Sequence, residues 1–209
     1  MQNKKCLLLT ALTVFSLSVC GSITTSTSQS AQVVKTSHEY SAEMKLASST
    51  ASGGEVKIDI SDCKSFDDII NKKLTSNMGY AKVKIGDVNA LLVTNRCYDY
   101  NGPYAPASTI FTIKNGAVQE IARVDSGSTA YPLSIKNGLL YCADSHSIFV
   151  YTIKDNKLVT VEENWSDNVG KYYHKSEGSS NAKEIDAVTF YDYYNAYYNA
   201  DIIRYTVVK

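Results

Sequence analysis

Three near-copies of one short pattern constrain this chain more than anything else in it: "FTIKNGAV" (111–118), "LSIKNGLL" (133–140) and "YTIKDNKL" (151–158). In each, an apolar run closes on Ile-Lys, meets Asn-Gly or Asp-Asn, and gives way to a second apolar run. Asn-Gly supplies the positive φ angles of a two-residue hairpin loop, so each copy predicts two antiparallel strands joined by a tight turn. The copies start 22 and 18 residues apart. That spacing suits successive hairpins of a meander and falls short of the roughly 40 residues per blade of common propeller repeats.

Other stretches extend the pattern. "YAKVKI" and "NALLVT" form a strand pair through Gly86-Asp87, "KYYHK" (171–175) adds a strand after a polar loop, and "DIIRYTVV" closes the domain as a strand paired back into the sheet. In "EVKIDI", Val56, Ile58 and Ile60 alternate with Lys57 and Asp59, the period of a strand with one buried face, so the domain is expected to begin there. "SFDDIINKKL" predicts a short amphipathic helix: Ser65 caps it with Asp68 three residues on, acids lead, lysines trail, and Phe66, Ile69, Ile70 and Leu74 form its apolar side.

Near the end, "FYDYYNAYYN" (190–199) places six aromatic rings in ten residues. At helical spacing Phe190, Tyr193, Tyr194, Tyr197 and Tyr198 share one stripe and only Tyr191 lies outside it, whereas strand alternation scatters the rings over both faces. A helix over residues 182–199 follows, with Asn181 as cap and Glu184 three residues later, its rings pressed on the sheet rather than offered to a ligand. The expected fold class is therefore α+β: an antiparallel β-meander of about eight strands, forming a curved sheet or partial barrel, with one short N-terminal helix and one aromatic-faced C-terminal helix.

The N-terminus speaks to location. Lys4 and Lys5 precede an apolar run from Cys6 to Val19, which is short against the roughly 20 residues of a membrane-spanning helix and fits an export signal over residues 1–19. "LSVC" (17–20) is similar to the lipobox of bacterial lipoproteins, which makes Cys20 the expected lipidation site, although Val19 stands where a small residue is usual. The alternative is ordinary signal cleavage near Ser16-Leu17-Ser18. Two or more acyl chains on Cys20 would hold the protein at the outer face of the cell membrane, since each buried methylene contributes about 0.8 kcal/mol. Residues 20–54, rich in Ser, Thr and Ala without apolar period, read as a disordered tether, leaving 55–209 as a single globular domain.

Removing residues 1–19 takes away two lysines and no acids, leaving 19 basic against 21 acidic side chains, a net charge of −2. Nothing in that balance points to nucleic acid. With Cys20 acylated, Cys63, Cys97 and Cys142 remain, an odd number that excludes a disulfide scaffold. A Cys97–Cys142 bridge is one alternative; free cysteines packed as small apolar residues are the other.

Catalytic patterns are sparse. "CADSHS" gathers Cys142, Asp144, Ser145 and His146, but neighbours in a tight turn point different ways and a triad must converge. The cysteines and histidines form no paired ligand element for a metal, and the acidic pairs Asp67-Asp68 and Glu162-Glu163 read as solvated charges. No P-loop, G-x-G-x-x-G or G-x-S-x-G is present, so no cofactor is expected. The best ligand contact is the loop "NRCYDYNGPYAPAS" (95–108), where Tyr98, Tyr100 and Tyr104 alternate with Asp99 and Asn101; rigid rings beside polar groups suit a glycan or protein ligand.

The runs "GYAKVKIGDVNALLVT", "AYPLSIKNGLLYCADSHSIFVYTIKDNKLVTVEE" and "IIRYTVVK" resemble an uncharacterised family of small exported proteins, with lipoprotein-like N-termini, of Gram-positive bacteria. The resemblance covers about residues 79–163 and the final strand. It implies an extracytoplasmic, membrane-tethered domain and carries no catalytic residues. Relatives have "GNH" where this chain has Asp144-Ser145-His146, which adds His146 to the candidate ligand contacts. The expected role is a non-catalytic binding or interaction module at the cell surface; a secreted hydrolase acting on envelope or dietary polymers is the alternative.

Overall fold

The computed structural model describes residues 56–209, and hairpins set its architecture. The strands are β1 (Gly79–Ile85), β2 (Val88–Thr94), β3 (Tyr98–Asp99), β4 (Pro103–Tyr104), β5 (Ala107–Lys114), β6 (Ala117–Asp125) and β7 (Ser134–Lys136), then β8 (Leu139–Ala143), β9 (Ser147–Lys154), β10 (Lys157–Ser166), β11 (Tyr172–Ser176), β12 (Lys183–Ile185), β13 (Asp201–Ile202) and β14 (Thr206–Val207). Helices α1 (Phe66–Lys72) and α2 (Ala187–Tyr198) complete the set. The three echoed turns are two-residue hairpin loops with both residues at positive φ: Asn115 and Gly116 at 54° and 75°, Asn137 and Gly138 at 53° and 75°, Asp155 and Asn156 at 51° and 63°.

All strand pairs are antiparallel, but they build two sheets where a single curved sheet or partial barrel was expected. One sheet runs β14-β1-β2-β5-β6, the other β12-β11-β10-β9-β8-β7-β13, and β3-β4 is a separate ribbon. The expectation of about eight strands thus gives way to fourteen among the described residues. The inner faces meet in one core: Ala81, Ile85, Ala90, Leu92 and Ile110 from the first sheet, Leu140, Cys142, Phe149 and Ile153 from the second.

Each outer face is covered in turn. Leu91, Val93 and Phe111 pack under α1 and the segment leading into it, with Val56, Cys63 and Ile69. Tyr141, Ile148 and Val150 pack under Phe190, Tyr194 and Tyr197 of α2. The result is a four-layer stack, helix, sheet, sheet, helix. It explains why Ala90–Val93 and Ala107–Thr112 are buried without interruption: successive side chains point to opposite faces, and both faces are covered. Each large apolar side chain so enclosed contributes about 1.5–3 kcal/mol.

Helix α1 carries the expected capping box, the Asp68 amide donating to Ser65 Oγ (3.1 Å) and the Ser65 amide to Asp68 Oδ2 (3.0 Å). Residues 56–60 keep the expected alternation of burial but join no sheet, lying over the first sheet's outer face instead of extending it. Helix α2 begins at Ala187, not 182, because residues 183–185 pair with β11 and pack the half-buried Ile185 against the cluster that holds the helix. Asp186 is the cap, accepting from the Thr189 amide at 2.9 Å.

The expected closing strand is split. β13 pairs with β7 in one sheet, β14 with β1 in the other, and between them Ile203 and Tyr205 enter the inter-sheet core. The sheets are also tied at their turns, where the Gly86 amide donates to the Gly138 carbonyl at 2.7 Å. The export signal, Cys20, the tether and the domain's first residue, Glu55, lie outside the described residues. Among the described residues no helix is long and apolar enough to cross a membrane.

Candidate functional site

The aromatic helix divides its rings between two tasks. Phe190, Tyr194 and Tyr197 are buried and Tyr193 is half-buried, whereas Tyr191 and Tyr198 are 56% and 65% exposed. Tyr198, expected in the buried stripe, therefore stands at its outer margin: the stripe centres on Phe190, Tyr194 and Tyr197, and Tyr198 falls on the Tyr191 side of it. Two phenols fix the helix's position. Tyr194 donates to the Asp144 carbonyl (2.5 Å) at the β8–β9 turn, and Tyr197 to the Pro132 carbonyl (2.9 Å) in the β6–β7 loop. Burial pushes both hydroxyls above the usual tyrosine value, so they stay neutral donors.

On one side of Tyr198 lies a pocket of about 460 Å³, lined by Tyr100, Tyr104, Thr129, Ala130, Pro132, Tyr197 and Tyr198 among others. Its outer wall is the β3–β4 ribbon, which turns at Asn101 (φ 52°) and Gly102 (φ 107°). Arg204 holds that turn by donating to the Tyr100 and Gly102 carbonyls at 2.8 and 2.7 Å, and Tyr104 Oη donates to the Thr129 carbonyl at 2.9 Å.

On the other side of Tyr198 lies a groove of about 660 Å³ between α2 and the β8–β9 and β10–β11 turns. Its rings come from Phe190 and from Tyr131, Tyr172, Tyr191, Tyr194 and Tyr198, and its polar groups include Ser145, His146, Asn168 and Asn195. Asp144 builds the first turn, accepting from the His146 and Ser147 amides (2.6 and 2.8 Å) and from Ser147 Oγ (2.9 Å). This sets His146 Nδ1 3.4 Å from Ser166 Oγ. Asp167 builds the second turn, accepting from the Val169 and Lys171 amides and from Tyr173 Oη; the backbone donors hold its carboxyl below the usual range.

Of the four ligand contacts expected from sequence, Tyr100 and Tyr104 line the pocket and His146 lines the adjoining groove. Tyr98 lines neither. Its ring packs 6.0 Å from Tyr104 and beneath the Arg96 guanidinium at 5.0 Å, so it supports the ribbon. Tyr131, Tyr191, Asn168 and Asn195 were not among the expected ligand contacts, and Tyr198 was expected in the core. A signal did exist: Tyr191, Asn195 and Tyr198 recur at i, i+4 and i+7, a second stripe flanking the buried one.

The Cys142, Asp144, Ser145 and His146 cluster diverges. Cys142 is buried in the inter-sheet core, where desolvation raises its thiol, Asp144 holds its own turn, and His146 faces the groove. Glu162 and Glu163 pair with successive residues of β9 and so point to opposite faces of β10, which leaves Glu163 buried rather than solvated as expected. Asp67 and Asp68 sit on α1 in ion pairs with Lys82 and Lys72. His174 stacks on Tyr193 (5.2 Å, 11°) with Nδ1 2.8 Å from Asn164 Oδ1. Cys63, Cys97 and Cys142 are unpaired, so the Cys97–Cys142 bridge is not formed. Among the described residues no three His, Cys, Asp or Glu side chains are grouped to hold a metal ion. Comparison with protein-family models, curated proteins and solved structures finds no match to this chain.

Proposed function

We propose that this protein is an exported, lipid-anchored recognition module of the cell surface, which binds a glycan or protein ligand without transforming it. The observation that carries this reading is the convergence of two aromatic-lined depressions on the exposed ring of Tyr198, one holding Tyr100 and Tyr104 and the other His146. Both fall within the ~300–1,000 Å³ of small-ligand sites, and both combine flat rings with a few hydrogen-bonding groups. The carboxylates at their rims favour recognition over hydrolysis. Asp99 accepts from the Gly102 amide (3.2 Å) and Asp167 from its own loop, each on a separate turn, where a hydrolase of glycosidic bonds needs two carboxyl groups facing across one bond.

The export signal, the lipobox-like Leu17–Cys20 and the family resemblance support placement on the outer membrane face. Labelling cells with a fatty-acid analogue is expected to mark this protein and to miss a Cys20→Ser variant; label retained by that variant would reject the anchor. For the site, the test is a glycan, peptidoglycan and peptide binding screen with the purified protein. Tyr100→Ala and Tyr104→Ala are each expected to weaken the selected ligand about tenfold, as removal of a packed aromatic contact does. Unchanged binding in both variants would dispose of the site.

A further inference from the structure

Neither depression, taken alone, explains why Tyr198 is lifted away from the apolar stripe and left 65% exposed between them. Its ring lies 6.2 Å from Tyr194 and 5.3 Å from Tyr197, so it continues the buried aromatic cluster outward as a rigid ridge. We infer, on the strength of the recognition role proposed above, that the two depressions form one binding track and that its ligand is an uncharged glycan chain lying across Tyr198.

Charge selects the chemistry. Among the described residues that line the two depressions there is no lysine or arginine, and Asp99 and Asp167 are the carboxylates. A phosphate- or carboxylate-bearing polymer would meet two acids and find no lysine or arginine to pair with. A neutral chain avoids that cost.

Hydrogen bonding separates glycan from peptide. An extended peptide gains affinity through main-chain hydrogen bonds to its receptor. Here five carbonyls beside the track already accept a side-chain hydrogen bond, Tyr100 and Gly102 from Arg204, Thr129 from Tyr104, Pro132 from Tyr197 and Asp144 from Tyr194, which leaves an extended peptide fewer open acceptors. What faces the track instead are hydroxyls and amides, the exposed Ser145, Asn168 and Asn195 among them. Such groups donate and accept alike, which matches the alcohol groups of a sugar, while the C–H faces of pyranose rings pack flat on tyrosine.

Length is the testable consequence, because a ligand confined to one depression would not feel the other. Calorimetric titration of the protein with neutral glucose and N-acetylglucosamine oligomers, from disaccharide to hexasaccharide, is expected to show affinity rising about tenfold or more with length. Tyr198→Ala should flatten that rise, and Tyr198→Phe, which keeps the stacking face, should retain it; the thermal melting of each variant reports whether it folds. The length series on the unaltered protein is independent of any variant. Equal affinity at all lengths, preference for carboxylated oligomers of matched length, or a Tyr198→Ala variant indistinguishable from the unaltered protein overturns the inference. Binding of peptides but no glycan, still sensitive to Tyr100→Ala and Tyr104→Ala, overturns the glycan track and leaves the recognition role standing. No binding to any probe removes both.

Discussion

The placement of α2 rests on Phe190, and replacing it by alanine tests the upper half of the stack directly. Its side chain is 2% exposed and packs against Tyr172 (ring centroids 4.6 Å apart) and, edge-on, against Tyr194 (5.3 Å). Phe→Ala at a closed core site costs about 3–5 kcal/mol, a sum of lost transfer energy and the cavity left behind. Three aromatic contacts, a further edge-on one to Tyr191 at 5.7 Å included, each worth about 0.5–1.5 kcal/mol beyond burial, keep the figure in the upper part of that range. Against a net stability of about 5–15 kcal/mol for a domain, Phe190→Ala is expected to lower the thermal midpoint by roughly 10 °C and shift the urea midpoint in step. Tyr191, the next residue, is 56% exposed, and Tyr191→Ala should cost about 1 kcal/mol or less. Equal losses in the two variants, or a Phe190→Ala loss under about 1 kcal/mol, would show that the helix is not held by this stripe.

Three further outcomes follow from specific contacts. Gly138 and Gly116 share φ 75° in equivalent hairpin turns, but a Cβ on Gly138 would lie 3.3 Å from Gly86 backbone atoms whereas one on Gly116 meets nothing within 4 Å. Both alanine variants should lose about 1–3 kcal/mol to backbone strain in urea unfolding, with Gly138→Ala the worse; equal losses would deny the close approach of the turns. Tyr205→Phe removes the buried 2.6 Å hydrogen bond to Ser108 Oγ and should cost about 1–3 kcal/mol by the same assay, with no loss expected only if that bond is absent. Tyr194, Tyr197 and Tyr205 are each raised above 10 by burial, so the folded state holds protons that the unfolded state releases. Their contribution is complete below pH 10 and is lost as pH climbs past it: phenolate absorbance should appear together with unfolding, and full ionisation of a still-folded protein would contradict their burial.

The three echoed hairpin turns were legible in the sequence. Asn-Gly at 115–116 and 137–138 and Asp-Asn at 155–156 could hardly do other than reverse the chain, and Ser65 with Asp68 marked the start of α1. The second sheet was harder to see, although a trace of it lay in "NALLVT" and "STIFTI". An antiparallel strand with one wet face alternates, and these runs do not, because α1 and the second sheet cover them from both sides. The start of α2 was misplaced because Asn181 and Glu184 imitate a capping box, while pairing of residues 183–185 with β11, a tertiary gain invisible in a local window, holds them extended. Half the site was within reach: Tyr100 and Tyr104 were read from loop composition, and His146 from the family resemblance. The remainder escaped because the track is assembled from segments near 100, 130, 146, 168 and 195, and no linear pattern joins them.

The divided allegiance of residues 201–207 has a consequence for how the molecule comes into being. Each sheet borrows an edge from a stretch that is synthesised after every other strand, and the side chains between those two edges fill the seam. Hairpins and both sheet interiors can zip up early from neighbours in sequence, but the seam cannot be sealed until that stretch has emerged. A chain that emerges N-terminus first, as from the ribosome, therefore stays unlocked until residues 201–207 are out, and locks only then.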